Sequence, residues 1–361
     1  MRYMKGGYIY MAIQGTGTID DPYLVATPAE LRAKVVEDFC YIKLKNDIDF
    51  NNDTVLWGWE TLELKCAQID GDNHKITNCY VYQKSFMASH YRRDTNAPVV
   101  KNTIIEAIYF SGSTQSEGNI SFVSPYITFT ESLGAIYFYD CDFRIKFYVE
   151  KDDALLFDTY YGSSKAGYYY RRCIFNIDVF VNNHQNTTIF KWSTDSDRQG
   201  EVKNCEIKIN LHLANSLFTG KKVFNTDSSS SSSGLNSILR VFHQPSNTSS
   251  VIGFENNAVF INIDGVNEDL PTRLCIGLAY YGKNISNCYY ILGDIKGSNY
   301  LAEKELVFEV YSKGIASACF INNKATFYNA FLKNEDPNMH VLTDAQCKDM
   351  QELLNIGFLI V

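Results

Sequence analysis

Arg172-Cys173-Ile174-Phe175-Asn176-Ile177-Asp178-Val179 is followed 32 residues later by Asn204-Cys205-Glu206-Ile207-Lys208-Ile209-Asn210-Leu211. Each copy opens on a polar residue and a cysteine, then alternates apolar with polar. Apolar residues at a period of two mark a strand with one covered face. The same step stands at Asp140-Cys141, 32 residues earlier, ahead of Phe143-Arg144-Ile145-Lys146-Phe147. It recurs at Asn78-Cys79, another 62 residues back, and at Asn287-Cys288. Asn257-Ala258, ahead of Val259-Phe260-Ile261-Asn262-Ile263, fits as a further coil start, since Ala258 lies 30 residues before Cys288 and Cys319 lies 31 after it. Units that repeat near thirty residues bury a core only against their neighbours. Helical repeats would show helical spacing or consensus leucines, and a β-sandwich would not repeat its strands at a constant interval. The pattern therefore predicts an all-β chain, a right-handed parallel β-helix solenoid. Stacking puts the cysteines in an internal column and lets asparagines hydrogen-bond along the stack, about 4.8 Å apart.

Composition agrees. Of 361 residues, 25 are Tyr and 23 Phe, types that favour half-buried strand positions. The net charge of −8 and the lack of a Lys/Arg cluster exclude a phosphate-neutralising face, so no nucleic-acid partner is expected. Tyr168-Tyr169-Tyr170-Arg171-Arg172 is better read as a strand with outward arginines than as a single-strand binder. None of the ten cysteines forms a CxxC pair, and most sit within apolar strand patterns, as buried reduced thiols do. Met1 to Gln14 lacks the apolar run and cleavage site of a signal peptide, and Met11 is an alternative start. No run of eighteen apolar residues exists to span a membrane.

Upstream of the repeats stands Gly15-Thr16-Gly17-Thr18-Ile19-Asp20-Asp21-Pro22-Tyr23-Leu24-Val25, a turn leading into a strand. Thr27-Pro28-Ala29-Glu30 is a capping box with Pro at the first helical position, and Leu31, Val35 and Val36 supply the stripe of a short helix. Tyr41-Ile42-Lys43-Leu44, Asp47-Ile48-Asp49-Phe50 and Ile69-Asp70-Gly71-Asp72-Asn73-His74-Lys75-Ile76-Thr77-Asn78 follow. This ordered set, over roughly residues 13–83, resembles the opening of β-helix proteins of the pectin-lyase-like group. Versions of it occur in phage tail and head appendages and in bacterial surface proteins. The resemblance implies a bacteriophage virion structural protein (a tail or head fibre, appendage or decoration) made in the host bacterial cytoplasm. Its partners would be other virion proteins and copies of itself, a trimer by the same resemblance.

The expected organisation is an N-terminal cap with a short helix over 1–40, a β-helix over 41–335, and a C-terminal helix with an apolar tail over 336–361. Surface loops are expected near 84–102 (His90, Arg92 and Arg93 at its tip) and at the serine-rich 225–237. Thr343-Asp344-Ala345-Gln346 would cap the last helix, running to about Asn355 before Gly357.

Phosphate loops, HExxH, GxSxG and dinucleotide fingerprints are absent, so no cofactor is expected. His74, His90, His184, His212, His243 and His340 lack metal-ligand spacing, so no metal is expected either. A polysaccharide-cleaving enzyme of the same fold is the main alternative. It would need paired carboxylates, for which Asp152-Asp153 with Asp158, or Asp20-Asp21, can be nominated against their plainer reading as solvated turns. A surface adhesin is the other alternative. Non-enzymatic binding of host surface glycan suits the tyrosines better, with Tyr160, Tyr161, Tyr168, Tyr169 and Tyr170 as the candidate platform and Tyr280, Tyr281, Tyr289 and Tyr290 as a second group.

Overall fold

The computed structural model describes residues 13–51, 61–82, 85–89, 97–111, 121–124, 135–149, 154–158, 167–181, 187–191, 200–213, 239–243, 252–264, 273–280, 284–286, 288–295, 305–311, 315–317, 319–322, 330–334 and 339–342. Within these residues lie three parallel sheets, A and B of ten strands each and C of nine, with one helix. The chain visits them in turn. Ala135–Tyr139 lies in A, Asp142–Val149 in B and Ala154–Asp158 in C, and Gly167–Arg171 then returns to A beside Ala135–Tyr139. Ile174–Val181 lies on Asp142–Val149 in register along eight pairs. Glu206–Leu213 repeats that register on Ile174–Val181. The chain is a parallel β-helix, and the 32-residue repeat is one coil.

The polar-cysteine step is the corner from sheet A to sheet B. Its first residue takes the left-handed conformation: Asn102, Asp140, Arg172, Asn204 and Asn256 have φ of 50 to 55°. Asn and Asp tolerate that region because their short polar chains can bond locally, which explains their recurrence here. The second residue turns inward, and Cys141, Cys173, Cys205, Asn257 and Cys288 are all buried. Cys173 donates to Phe138 O at 3.5 Å and Cys205 to Tyr170 O at 3.6 Å, each a carbonyl of the coil below. Outside the corner, Asn256 donates to Asn204 Oδ1 at 3.0 Å, and Arg172 grips Asp140 through two bonds of 2.6 Å.

Two coil starts differ from the sequence reading. Asn257, not Ala258, fills the thiol column, because Ala258 pairs with Glu206 as the first residue of a strand. Cys79 lies inside strand Lys75–Tyr82, opposite Ala107, past a bulge in which Thr77 and Asn78 face Glu106. Asn78 is itself left-handed, with φ of 54°, so a strand bulge mimics the corner signal.

Rings from all three sheets meet in the core. Phe143 stacks on Phe175 at 4.9 Å and Phe138 on Tyr170 at 5.0 Å, while Phe157 stacks on Phe190 at 5.1 Å. Like residues on successive coils overlie one another, so each ring covers the next.

Helix Pro28–Val35 follows strand Tyr23–Val25 and packs against it and against strand Leu62–Leu64. Thr27 Oγ1 accepts from Glu30 N at 3.2 Å, and Glu30 Oε2 reaches back to Ala26 N at 2.7 Å. Leu31 and Val35 are buried, whereas Val36, expected on the same stripe, is the C-cap and 45% exposed. The solenoid exceeds its expected bounds of 41–335 at both ends. Tyr23–Val25 already pairs with Tyr41–Leu44, and Met339–Leu342 pairs with Cys319–Asn322. The expected loop at 84–102 contains strands Met87–Ser89 and Val99–Lys101. Three-residue strands are too short to show a period, which is why this stretch reads as a loop. His90, Arg92, Arg93, the serine-rich 225–237 and the helix expected after Thr343 lie outside the described residues.

Candidate functional site

Register turns the outward residues of sheet B into straight rows that cross the coils. Three residues past the corner, Glu106, Arg144, Asn176 and Lys208 are successive neighbours. Five past it run Ile108, Lys146, Asp178, Asn210 and Asn262. Seven past it run Phe110, Tyr148, Phe180 and His212, continued on the preceding strand by Tyr82. Between the first two rows lies an open groove of about 560 Å³, a volume within the usual range of ligand sites. It begins at the bulge, with Asn78 and Cys79, and extends to Asn210. Bulges re-aim side chains and recur beside binding sites.

Arg144 is already engaged in the groove. Its Nη1 donates to Glu106 Oε1 at 3.0 Å, and Nε and Nη2 donate to Asp142 Oδ2 at 2.9 and 2.8 Å. Its hydrogen bonds to the Asp142 carboxylate hold the guanidinium above its usual range. Lys75 adds a second cation to Glu106 at 3.4 Å. In the middle row, Asn262 Nδ2 donates to Asn210 Oδ1 at 2.8 Å, and Asn210 Nδ2 donates to Asp178 Oδ1 at 2.8 Å. Asn176 Nδ2 donates to Asp142 Oδ1 at 3.2 Å. Lys146 is exposed, lines the groove and has no ion-pair partner among the described residues.

The third row is an aromatic rail along the groove's flank. Phe110, Tyr148, Phe180 and His212 are half-buried. Neighbouring rings lie 4.7, 4.5 and 4.6 Å apart with interplanar angles of 9 to 11°. Because these rings stack on one another, their faces are largely occupied and their edges face outward. The rail is an apolar wall, not a set of stacking platforms.

The tyrosines singled out from the sequence are placed otherwise. Tyr168 and Tyr170 point into the core, and Tyr169 lies against Tyr137 at 4.4 Å, only 5% exposed. All three are buried, so none offers an open ring face to a sugar; a run of three aromatics reads alike whichever residues turn inward. Tyr160, Tyr161 and Tyr281 lie outside the described residues, and Tyr280, Tyr289 and Tyr290 occupy strands of sheets C and B. Of the nominated acids, Asp20 and Asp21 form an exposed turn ahead of the first strand and Asp158 ends a strand of sheet C, while its nominated partners Asp152 and Asp153 lie outside the described residues. Among the described residues, no three His, Cys, Asp or Glu side chains are grouped to hold a metal. The rows of sheet B are missed in the sequence reading, although their signal is present. Thr103, Cys141, Cys173 and Cys205 are each followed by an aromatic or His seven residues on.

No protein-family model matches the chain, and no curated protein matches it. Among solved structures, a chain described as a "putative immunoglobulin A1 protease" from Bacteroides ovatus is similar at 13% identity and a TM-score of 0.45. The match covers 95% of this chain and 89% of that one.

Proposed function

We propose that the protein is a non-enzymatic appendage of a bacteriophage particle that holds a surface polysaccharide of the host in the groove on sheet B. The virion assignment is supported by the N-terminal motif set, Gly15 to Val25 through Ile69 to Asn78. The binding assignment is carried by one observation, the continuous rows of amide, carboxylate and ammonium groups beside an apolar rail. Sugars present hydroxyls at the edge of an apolar ring, so a ligand site for them combines hydrogen-bonding groups with apolar contact. No catalytic step is assigned, because Glu106 is held by Arg144 and Lys75 and Asp178 by Asn210.

The test is binding of purified bacterial capsular and O-antigen polysaccharides to an immobilised sample, with a parallel assay for newly released reducing ends. Saturable binding that Lys146→Ala with Asn176→Ala weakens by roughly tenfold or more supports the groove; such a loss is about 1.4 kcal/mol. Release of reducing ends would replace this reading with the enzymatic one. Light scattering on the same sample tests for the trimer.

A further inference from the structure

Lys146 and Asp178 are adjacent residues of one outward row, paired across neighbouring coils and so about 4.8 Å apart along the solenoid. Opposite charges so placed would ordinarily bond to each other, yet no ion pair joins them. Asp178 is instead drawn toward the next coil, where its Oδ1 accepts from Asn210 Nδ2 at 2.8 Å, with His212 Nε2 at 3.7 Å from the same oxygen. Asn210 is fixed in turn, since its own Oδ1 accepts from Asn262 Nδ2 at 2.8 Å. The amide chain has a direction. Each carbonyl is used by the amide above, so the last NH2 must end on a group that only accepts, which an ionised Asp provides. Asp178 Oδ2 is left without a partner among the described residues, the Lys146 ammonium has no ion pair among them, and both residues line the groove.

From this juxtaposition we infer that Lys146 and Asp178 together read a vicinal diol of a sugar ring, one hydroxyl accepting from the ammonium and its neighbour donating to Asp178 Oδ2. Asn210 and Asn262 are positioning residues that keep Asp178 from closing onto Lys146. The inference rests on the proposed groove and names the chemical group it recognises. A diol satisfies a donor and an acceptor held side by side, whereas a lone carboxylate or a lone amine on the ligand would satisfy one and be repelled by the other.

The experiment compares each polysaccharide of the binding panel before and after periodate oxidation, which cleaves the carbon–carbon bond of vicinal diols to two aldehydes, followed by borohydride reduction of those aldehydes to alcohols. The expected result is at least tenfold weaker binding after oxidation. Lys146→Ala and Asp178→Ala should weaken binding of the untreated polymer as much and lose most of the difference between the two forms. Asn210→Ala should match Asp178→Ala, and Asn210→Ser, which keeps a donor in the row, should recover part of the binding. Circular dichroism and the melting temperature establish that each variant is folded. Equal binding of oxidised and untreated polymers overturns the diol assignment and leaves the groove standing. No binding of any untreated polymer overturns both.

Discussion

The hydroxyl of Tyr170 is buried among Phe143, Phe157, Phe175 and Phe190 and has no hydrogen-bond partner among the described residues. Burial pushes its pKa well up, so it stays neutral. A buried hydroxyl with no partner keeps its desolvation cost without a compensating bond. Tyr170→Phe is therefore expected to stabilise the chain by about 1 kcal/mol, or to leave it unchanged, in urea unfolding. A loss of more than about 1 kcal/mol would mean that the hydroxyl is bonded in the folded chain. Arg172 shows the opposite accommodation. It holds a left-handed φ of 55° in a corner row otherwise made of Asn and Asp, and its two bonds to Asp140 partly offset that cost.

At the scale of the element, the A-to-B corner depends on its inward column. Burial raises three thiols of that column, holding Cys141 and Cys205 far above their ordinary range and Cys288 up to about 12, while Cys173 between them is drawn down against its burial by hydrogen bonds with Cys141 and Cys205. These sulfurs act as packing and as weak donors, not as nucleophiles. Where the column changes to Asn257, the side chain bonds in three directions. Its Oδ1 accepts from Cys205 N at 3.0 Å, and its Nδ2 donates to Val202 O at 2.8 Å and to Cys288 Sγ at 3.6 Å. Asn257→Ala leaves buried backbone groups unpaired and is expected to cost about 2–4 kcal/mol by urea unfolding. Asn257→Cys restores the side chain of the neighbouring rungs and should recover a good part of that loss. Equal damage from the two substitutions would show that the column demands an amide at this rung.

For the whole molecule, stability is a sum of coil-on-coil contacts, so groups that tie one coil to the next set its response to pH. Asp47 accepts from Lys75 N at 2.9 Å, which lowers its pKa, with His74 adding to the effect. Burial works to raise Asp70, but bonds from Asn102, from the backbone N–H of Asp72 and from Lys101 outweigh it, and its pKa is also lowered. A carboxylate with a folded pKa below its unfolded one adds stability that is complete above the unfolded value, about 4. That stability is lost as pH falls through the folded value. The melting temperature should therefore hold steady from neutrality to about pH 5 and drop below about pH 4, and Asp47→Asn with Asp70→Asn should flatten the drop. A double variant with the same acid slope as the parent would show that other carboxylates set it.

The local alternation of Phe143 to Phe147, Phe175 to Val179 and Ile207 to Leu211, with its constant 32-residue interval, determined the β-helix without further help. A period of two demands a covered face, and a fixed interval demands that neighbours cover it. The capping box at Thr27 was legible for the same reason, since it depends on residues three apart. What depended on the third dimension was not. Cys79 reads as a corner because a left-handed residue looks the same in a corner and in a bulge until the strand is paired, and Asn257 reads one position early because Asn256-Asn257 and Asn257-Ala258 are equally good polar-small steps until Ala258 is paired with Glu206. The three consecutive tyrosines at 168–170 hide which residues turn inward, and folding buries all of them. The rows of the groove join residues 32, 38 or 52 positions apart, and only the register of stacked coils sets Lys146 beside Asp178 and Asn210 beside Asn262. Sequence settles which face of a strand is apolar, while pairing between strands decides what stands beside what, and the candidate site is made of that second kind of information.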